Sequence, residues 1–474
     1  MQKDNTWSIT LEKFSSGYAP LAFTDSLTEI GSGGHADSMT NVDVLDGKLT
    51  QGPALSNLTN GNQAGNVTEL INYIYDRAIS ADLTYGIGPT KLFSISSTAV
   101  TANRTISGST DGQSVQYLKG NLYYFYNKAS GGDIGKFDLV STYTDGWGSA
   151  TDQALESAIH PVAKKEDVMV FGNGRYAGVY IEETNSLNVR KLDFGQDSVV
   201  ADVIYNNGYW FIAVNSGITG TNRTEGEIFL YDGSAIPSTL SDETGVGVQR
   251  IGFLYRINGV VYVAYQDLSS SGFIIGYING KAITPLVRYL GSLPSFAQKT
   301  LYKNTILFLS STLAFCAGAF VPELPFALSQ HSDGGFGTVG AIAAPFGTPL
   351  IASTDGGSNH RLAKFSGYET DCDWKSLIFS VSLGSHKSLI DEIVVLTNTL
   401  GAGARCDLTI ESDQASATST LKQIATTGKR RHKLTGFDVG QIEDFRIALD
   451  WTNGSATNPC TIRKIKINGH YVEN

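Results

Sequence analysis

The densest run of charge in this 474-residue chain is Lys429–Arg430–Arg431–His432–Lys433. Lys429, Arg430, Arg431 and Lys433 could neutralise an acidic partner subunit or a phosphate backbone, and they equally suit a solvated turn. The chain as a whole carries a net charge of −10. That balance disfavours tight nucleic-acid binding, which needs a basic face; it is compatible with a weakly repelling wall along which DNA passes without sticking. The other chemistry-bearing residues are scattered. His35, His160, His331, His360, His386, His432 and His470 show no HExxH spacing and no pair at ligand distance, so each reads as a packing or surface histidine. Among 45 acidic residues a carboxylate pair can be chosen anywhere, and Glu182–Glu183 reads as a strand end facing water. No GxSxG elbow or Walker A sequence is present. Ser130–Gly131–Gly132 opens no predicted helix and so cradles no phosphate. Cys316, Cys372, Cys406 and Cys460 lack CxxC spacing; three lie in the last quarter, where one bridge is possible and reduced packing thiols fit better. No catalytic, cofactor-binding or metal residue is assigned, and no cofactor is expected. Lys429, Arg430, Arg431 and Lys433 stand as the candidate partner contact.

The elements that position these residues are strands. A hydrophobic fraction of 41% supports a packed core, while 52 glycines and a charged fraction of 17% argue against a long helical or disordered chain. One unit is clearest: a strand from Val200, the turn Asn206–Asn207–Gly208, the strand Tyr209–Val214, a polar loop, then Glu227–Gly233. Similar pieces return. Lys119–Gly120–Asn121 leads into Leu122–Phe125, Asn258–Gly259 into Val260–Val263, and Lys303–Asn304 into Thr305–Leu309. A second marker follows each, as Phe137–Asp138, Tyr231–Asp232–Gly233, Ile278–Asn279–Gly280 and Phe365–Ser366–Gly367. The spacing of roughly 45 residues is that of four-stranded propeller blades. Seven blades are expected, at 69–105, 110–145, 155–195, 198–240, 248–292, 295–335 and 338–367. In the first, Glu69 to Ile79 reads equally as a short helix. The third replaces the Asn–Gly turn with Glu166–Asp167.

Two flanks complete the chain. Residues 1–68 read as an extended arm with a hairpin over Asn41–Pro53, turning at Asp46–Gly47. An open ring leaves a sticky edge, so the hairpin, taken over 40–55, is a candidate for completing the last blade from the N-terminal side. Residues 369–474 read as a small β-sandwich of six or seven strands, among them Trp374–Val381, Ile390–Leu396, Cys406–Ile410, Arg431–Leu434, Phe445–Leu449 and Thr461–Ile467. In the last of these Ile462 is out of phase with Ile465 and Ile467, which predicts a bulge near Arg463–Lys464. The fold class is therefore all-β: a β-propeller over 69–368 followed by a C-terminal β-sandwich. The uncharged run Thr305 to Val321 contains Ser310, Ser311, Thr312 and Gly318 and lies in register with the blades, so it reads as buried strands and not as a membrane span.

Two resemblances bear on function. Ser353–Thr354–Asp355–Gly356–Gly357–Ser358 is similar to part of the Asp-box turn of sialidase-like propellers, without the closing aromatic. An ordinary Asp–Gly turn accounts for it. A sialidase-like site would also need converging arginines and a Tyr/Glu pair. The second covers most of the chain in pattern. Asn41–Val42–Asp43–Val44–Leu45–Asp46–Gly47–Lys48–Leu49–Thr50–Gln51–Gly52–Pro53 resembles the N-terminal motif of tailed-bacteriophage neck and tail propeller proteins of the nozzle or hub kind. The Tyr–Asp–Gly blade markers and the terminal sandwich are similar too. Gln51–Gly52–Pro53 stands where an Arg-containing turn is common in that group. This resemblance implies a non-enzymatic virion structural protein: a homo-oligomeric ring, six-fold in the family, contacting other tail, neck or portal-adaptor proteins, with DNA passing through. The alternatives are a receptor- or carbohydrate-binding propeller at the tail tip and a glycan hydrolase.

Overall fold

The computed structural model describes residues 6–12, 14, 36–44, 47–59, 73–74, 83–217, 224–234, 238–239, 250–266, 272–302, 305–310, 313–318, 327–331, 338–345, 347–354, 360–381, 386–412 and 418–472. Nearly all of the regular structure is β-strand; the one helix among the described residues is Trp147–Thr151. By its internal contacts the chain divides into two compact units, Ser56–Thr312 with Gly335–Lys364, and Met1–Leu55 with Leu313–Gly334 and Phe365–Asn474.

Seven four-stranded antiparallel sheets follow one another as the blades of a propeller. The first runs from Tyr73–Ile74 to Val100–Thr105 and the second from Ser109–Leu118 to Tyr143–Thr144. The third runs from Val162–Lys165 to Ser186–Asp193, the fourth from Ser198–Asn206 to Ser238–Thr239, and the fifth from Ile251–Ile257 to Ala282–Leu290. The sixth runs from Lys299–Tyr302 to Ala327–His331. The seventh takes Thr338–Ala343, Leu350–Thr354 and His360–Phe365 from the end of the run and Leu55–Asn57 from its beginning. The first blade therefore uses a strand at Tyr73–Ile74 inside the stretch that also read as a helix; its flanks lie outside the described residues.

The turn chemistry explains the repeat. Two-residue hairpins suit the twist of the flanking strands when both central residues take positive φ. Asn207 and Gly208 have φ of 47° and 93°, Asn258 and Gly259 of 50° and 83°, and Lys119 and Gly120 of 38° and 87°. In the third blade Glu166 takes φ 54° in the same place. The second marker also has a physical role. The Asp138 carboxylate accepts the N–H groups of Val140, Ser141 and Thr142 at 2.8–2.9 Å, which holds the turn and pulls its pKa far down.

Each sheet is apolar on both faces and packs on the next. Tyr85 and Ile87 of the first blade meet Val115, Tyr124 and Tyr126 of the second. Tyr123 and Phe125 meet Met169, Phe171 and Tyr180 of the third. Val170 and Val179 meet Val200 and Ile212 of the fourth, and Ala213 and Ile228 meet Leu254 and Val263 of the fifth. Phe253 and Phe273 lie 6.2 and 5.9 Å from Phe308 of the sixth. The run closes where Phe93 and Ile95 of the first blade share a cluster with Ala341, Leu350 and Leu362 of the seventh. The Thr305–Ser310 strand is buried throughout, as its apolar sequence requires.

The Asn41–Pro53 hairpin does not itself complete the last blade. Val42–Asp43 and Thr50–Gln51 form a two-stranded sheet of their own, and the chain just beyond supplies the closing strand. Leu58 N–H donates to Leu362 O at 3.0 Å and Ser366 N–H to Ala54 O at 2.8 Å.

His160 sits between the second and third blades, fully buried. Its Nδ1 is 2.9 Å from Gly172 O and its Nε2 3.2 Å from Asn127 Oδ1. Burial lowers its pKa to about 4, against the carbonyls of Gly172 and Glu156, which favour the charged ring. Its ordinary value is about 6.5. The unfolded chain thus binds the extra proton between these values, and stability is present above pH 6.5 and lost as pH falls. We expect about 2 kcal/mol less stability at pH 5 than at pH 7 from this ring. Urea unfolding at the two pH values measures it, and His160→Gln removes that share of the difference.

The second unit contains two sheets. One has the strand order Thr6–Leu11, Ile462–Val472, Lys387–Thr397, Arg431–Thr435; the other carries Ala36–Thr40, Asp373–Ser376, Asp444–Asp450, Cys406–Ser412 and Lys422–Ile424, with Phe379–Ser380 beside Asp444–Asp450. Their apolar faces meet: Trp7 lies 6.0 Å from Phe445, over Ile393, Ile467, Ile447 and Leu449. The N-terminal arm expected as a separate lead is thus an edge strand of the first sheet, with Ile9 opposite Ile467. The single strand expected over Trp374–Val381 is two short ones that both pair with Asp444–Asp450. The bulge falls at Arg463: Leu396 pairs with Lys464 and Thr397 with Ile462. Cys372, Cys406 and Cys460 are free and buried.

Candidate functional site

The propeller axis is the natural place to look for a site. Strands from five blades, with Ala344 and Gly347 from the turn after the first strand of the seventh, wall a cavity of about 670 Å³, with Gln116, Lys164, Asp202, Tyr205, Tyr255, Arg256 and Lys299 among its lining. Among the described residues the only carboxylate lining it is Asp202, 3% exposed. A register shift between Val200 and Asp202 turns this side chain toward the fifth and sixth blades. There it accepts the N–H of Leu254 at 2.7 Å, that of Val203 at 2.8 Å, and the Lys299 ammonium. Lys299 also donates to Leu254 O at 2.6 Å. Lys164 donates to Tyr117 O at 2.7 Å, and Arg256 to Tyr205 O at 3.2 Å. The charges at the axis therefore tie neighbouring blades together.

This arrangement bears on hydrolysis. Glycoside cleavage by the common route needs two carboxylates flanking the bond, and the cavity offers one, already fixed in an ion pair. Arg256 is the sole arginine of the lining among the described residues. Elsewhere in the propeller Arg104 pairs with Asp145, Arg175 with Asp193 and Arg190 with Glu156. Residues Asp355 to Ser358 of the Asp-box-like turn lie outside the described residues; beside them Thr354 Oγ1 is 2.9 Å from His360 Nδ1. Among the described residues no group of three metal-ligating side chains comes together, and no helix is long and apolar enough to cross a membrane. Among aromatics whose types could stack on a sugar, Tyr124 and Trp210 are buried between blades, Trp147 packs on Tyr123 and Tyr180, and Tyr209 is exposed.

The basic run is brought together as the sequence order suggests. Lys429, Arg430, Arg431 and Lys433 are exposed, while His432 turns inward toward Thr397. Arg431–Thr435 is an edge strand, paired on one side to Lys387–Thr397. Lys433 reaches Glu392 at 2.5 Å and, with the Asn468 amide, holds that carboxyl below its usual range. Arg430 Nε donates to Thr399 Oγ1 at 2.5 Å. Sequence order does not reveal that Lys464 and Lys466 join them on the same sheet face from Ile462–Val472, one strand beyond Lys387–Thr397, because that depends on the bulge at Arg463.

The Asn41–Pro53 motif is built into the second unit. Gln51 is 1% exposed. Its Nε2 donates to Glu369 O at 2.6 Å and Ser455 O at 3.4 Å, and its Oε1 accepts the Cys460 N–H at 3.3 Å. Asn41 Nδ2 donates to Asp371 O at 2.8 Å, and Leu49 bridges to Ile462. Replacing Gln51 by leucine leaves buried backbone groups unpaired, and a loss of about 2–3 kcal/mol is expected by denaturant titration.

No family model matches the chain, and no curated protein matches it. Among solved structures, it is similar to the extracellular domain of a putative hybrid two-component system from B. thetaiotaomicron, at 10% identity over 86% of this chain and 58% of that one, with a TM-score of 0.51. It also aligns with PorZ, a bacterial surface component of the type-IX secretion system of Porphyromonas gingivalis, at 10% identity, 80% and 46% coverage and a TM-score of 0.42. An oligogalacturonate lyase from Vibrio parahaemolyticus aligns at 9% identity, 70% and 98% coverage and a TM-score of 0.46. The chain spans about half the length of the first structures it matches. Likeness at this identity is likeness of fold.

Proposed function

We propose that the chain is a non-catalytic propeller that works through its surfaces, as a structural component of a tailed-phage neck or tail. The observation that carries this is the axis: its one carboxylate and its cations are spent on holding blades together, which makes a stiff block in place of a reaction centre. The Asn41–Pro53 motif supports it, since the segment that carries the family resemblance joins the N-terminal arm to the terminal sandwich. On this reading the protein is a virion component that assembles with its own copies and with neighbouring tail or portal-adaptor proteins. Purified particles should contain it in stoichiometric amount by quantitative mass spectrometry; particles that lack it, from a host that expresses it, would sink the proposal.

A specific observation favours a second reading, a receptor- or carbohydrate-binding propeller. The axial cavity carries Tyr205 and Tyr255 with amide and cationic donors, groups that suit a polar sugar. None of the solved structures named above is a virion protein. A glycan array discriminates: a binding signal abolished by Tyr255→Ala supports the second reading, and silence on every glycan leaves the first.

A further inference from the structure

The outer face of the sheet that ends in Arg431–Thr435 is unusually basic for an acidic chain. In register, Thr10, Lys466, Val394 and Lys433 form one row across four strands. Lys464, Leu396 and Arg431 form the next. Lys466, Arg431 and Lys433 are exposed, as are Lys429 and Arg430 at the head of the edge strand. Two of these cations are matched, Lys433 by Glu392 and Lys464 by Glu12 at 2.7 Å. The stems of Lys433 and Lys466 flank Val394, which is only 7% exposed, so the face is an apolar strip under a cationic rim.

On the outer face of the other sheet of the same unit, Lys375 and Arg446 are matched by Glu411 at 2.8 and 2.5 Å, and an acidic row lies beside them. Asp373, Asp450 and Asp407 stand in register on three adjacent strands. Like charges directly opposite are destabilising. Arg405 clamps Asp407 with bonds of 2.9 and 2.7 Å, but Asp373 and Asp450 remain side by side, with exposed Asp371 nearby. Burial raises the Asp373 carboxyl above its usual range, against a Thr40 hydrogen bond and the Lys375 charge and with help from Asp371 and Asp450. A row of this kind is relieved when cations from outside are laid against it.

We infer that the basic outer face of the Arg431–Thr435 sheet docks on the acidic Asp373–Asp450 face of a second copy of this chain. The two faces belong to opposite sheets of one sandwich, so the contact is heterologous and every copy offers one of each. Such contacts run head to tail and close into a ring or continue as a filament. The inference rests on the assembly reading above and names its partner. Nucleic acid is the other occupant a basic face could take; the net charge of −10 and the chain's own complementary acidic row favour a copy of itself.

The test is a charge swap, read by light scattering after gel filtration of the full chain at several concentrations. Arg431→Glu with Lys466→Glu makes both faces acidic, and Asp371→Lys with Asp450→Lys makes both basic. All four positions are exposed, and circular dichroism checks that each variant folds. Wild type is expected to assemble at low salt and to weaken in 1 M NaCl, where the screening length falls to about 3 Å. Each double variant alone should dissociate at least about tenfold more readily. Mixed in equal amounts, the two should assemble again, in complexes that alternate. Wild-type assembly that neither variant disturbs overturns the docking faces while leaving the assembly reading intact. A wild type that stays monomeric at every concentration overturns both. Loss of double-stranded DNA binding in the first variant, with self-assembly unchanged, makes nucleic acid the occupant.

Discussion

Gly252→Ala is expected to lower the unfolding free energy by about 3 kcal/mol, and Gly252→Val to leave no folded propeller. Gly252 lies in the innermost strand of the fifth blade, where the register shifts between Ile251 and Phe253. A bulge there pushes the backbone toward the chain entering the sixth blade. A Cβ would collide with the carbonyl oxygen of Pro294 and lie 2.7 Å from Leu293 Cγ. The φ at this position is not in the left-handed region, so the requirement is for space alone. A carbonyl fixed between two blades cannot move as a side-chain tip can, and the whole interface must open. Gly112 repeats the arrangement in the second blade, where a Cβ would strike Gly88 O and the Ile87 side chain. Equilibrium denaturation of Gly252→Ala beside Gly208→Ala separates the causes. Gly208 has open space and a φ of 93°, so its cost is backbone strain of about 1 kcal/mol. Equal losses at the two positions would contradict the packing account.

Asp202→Ala should cost about 3–5 kcal/mol, the range for removing one partner of a buried ion pair. Side-chain exposure is 4% for Asp202 and 11% for Lys299, so the ammonium left behind is desolvated and unmatched. The Leu254 and Val203 amides lose their acceptor as well. Asp202→Asn keeps an acceptor and should cost less. The informative variant is Asp202→Asn with Lys299→Met, which removes both charges and should recover more than half of the loss, because buried pairs often do little better than apolar replacements. A double variant as unstable as Asp202→Ala would show that the axial charges do more than join blades, and would strengthen the ligand reading of the cavity.

Much of the propeller was legible because its signals are local. Asn207–Gly208 and Asn258–Gly259 announce hairpins whatever surrounds them, and the apolar strands beside them follow at the blade period. The out-of-phase Ile462 likewise betrayed the bulge at Arg463. The missing pieces depend on partners distant in sequence. Nothing in Ala54–Leu55–Ser56–Asn57 says that it pairs some 300 residues later with His360–Phe365; its apolar content is ordinary and its edge is visible only once the ring exists. Gly112 and Gly252 look like weak points in strands until the approach of the next blade is known. At the candidate site, the run Lys429–Lys433 was visible as charge, whereas Lys464 and Lys466 join it through strand register alone. The axial role of Asp202 had no sequence signal, since one aspartate in a strand resembles any other.

The most direct test of the central claim, a non-catalytic building block that assembles, is negative-stain imaging of the purified full chain at low salt. The account predicts rings or head-to-tail strings of identical copies. A field of single copies at every concentration, with no larger species, would contradict it.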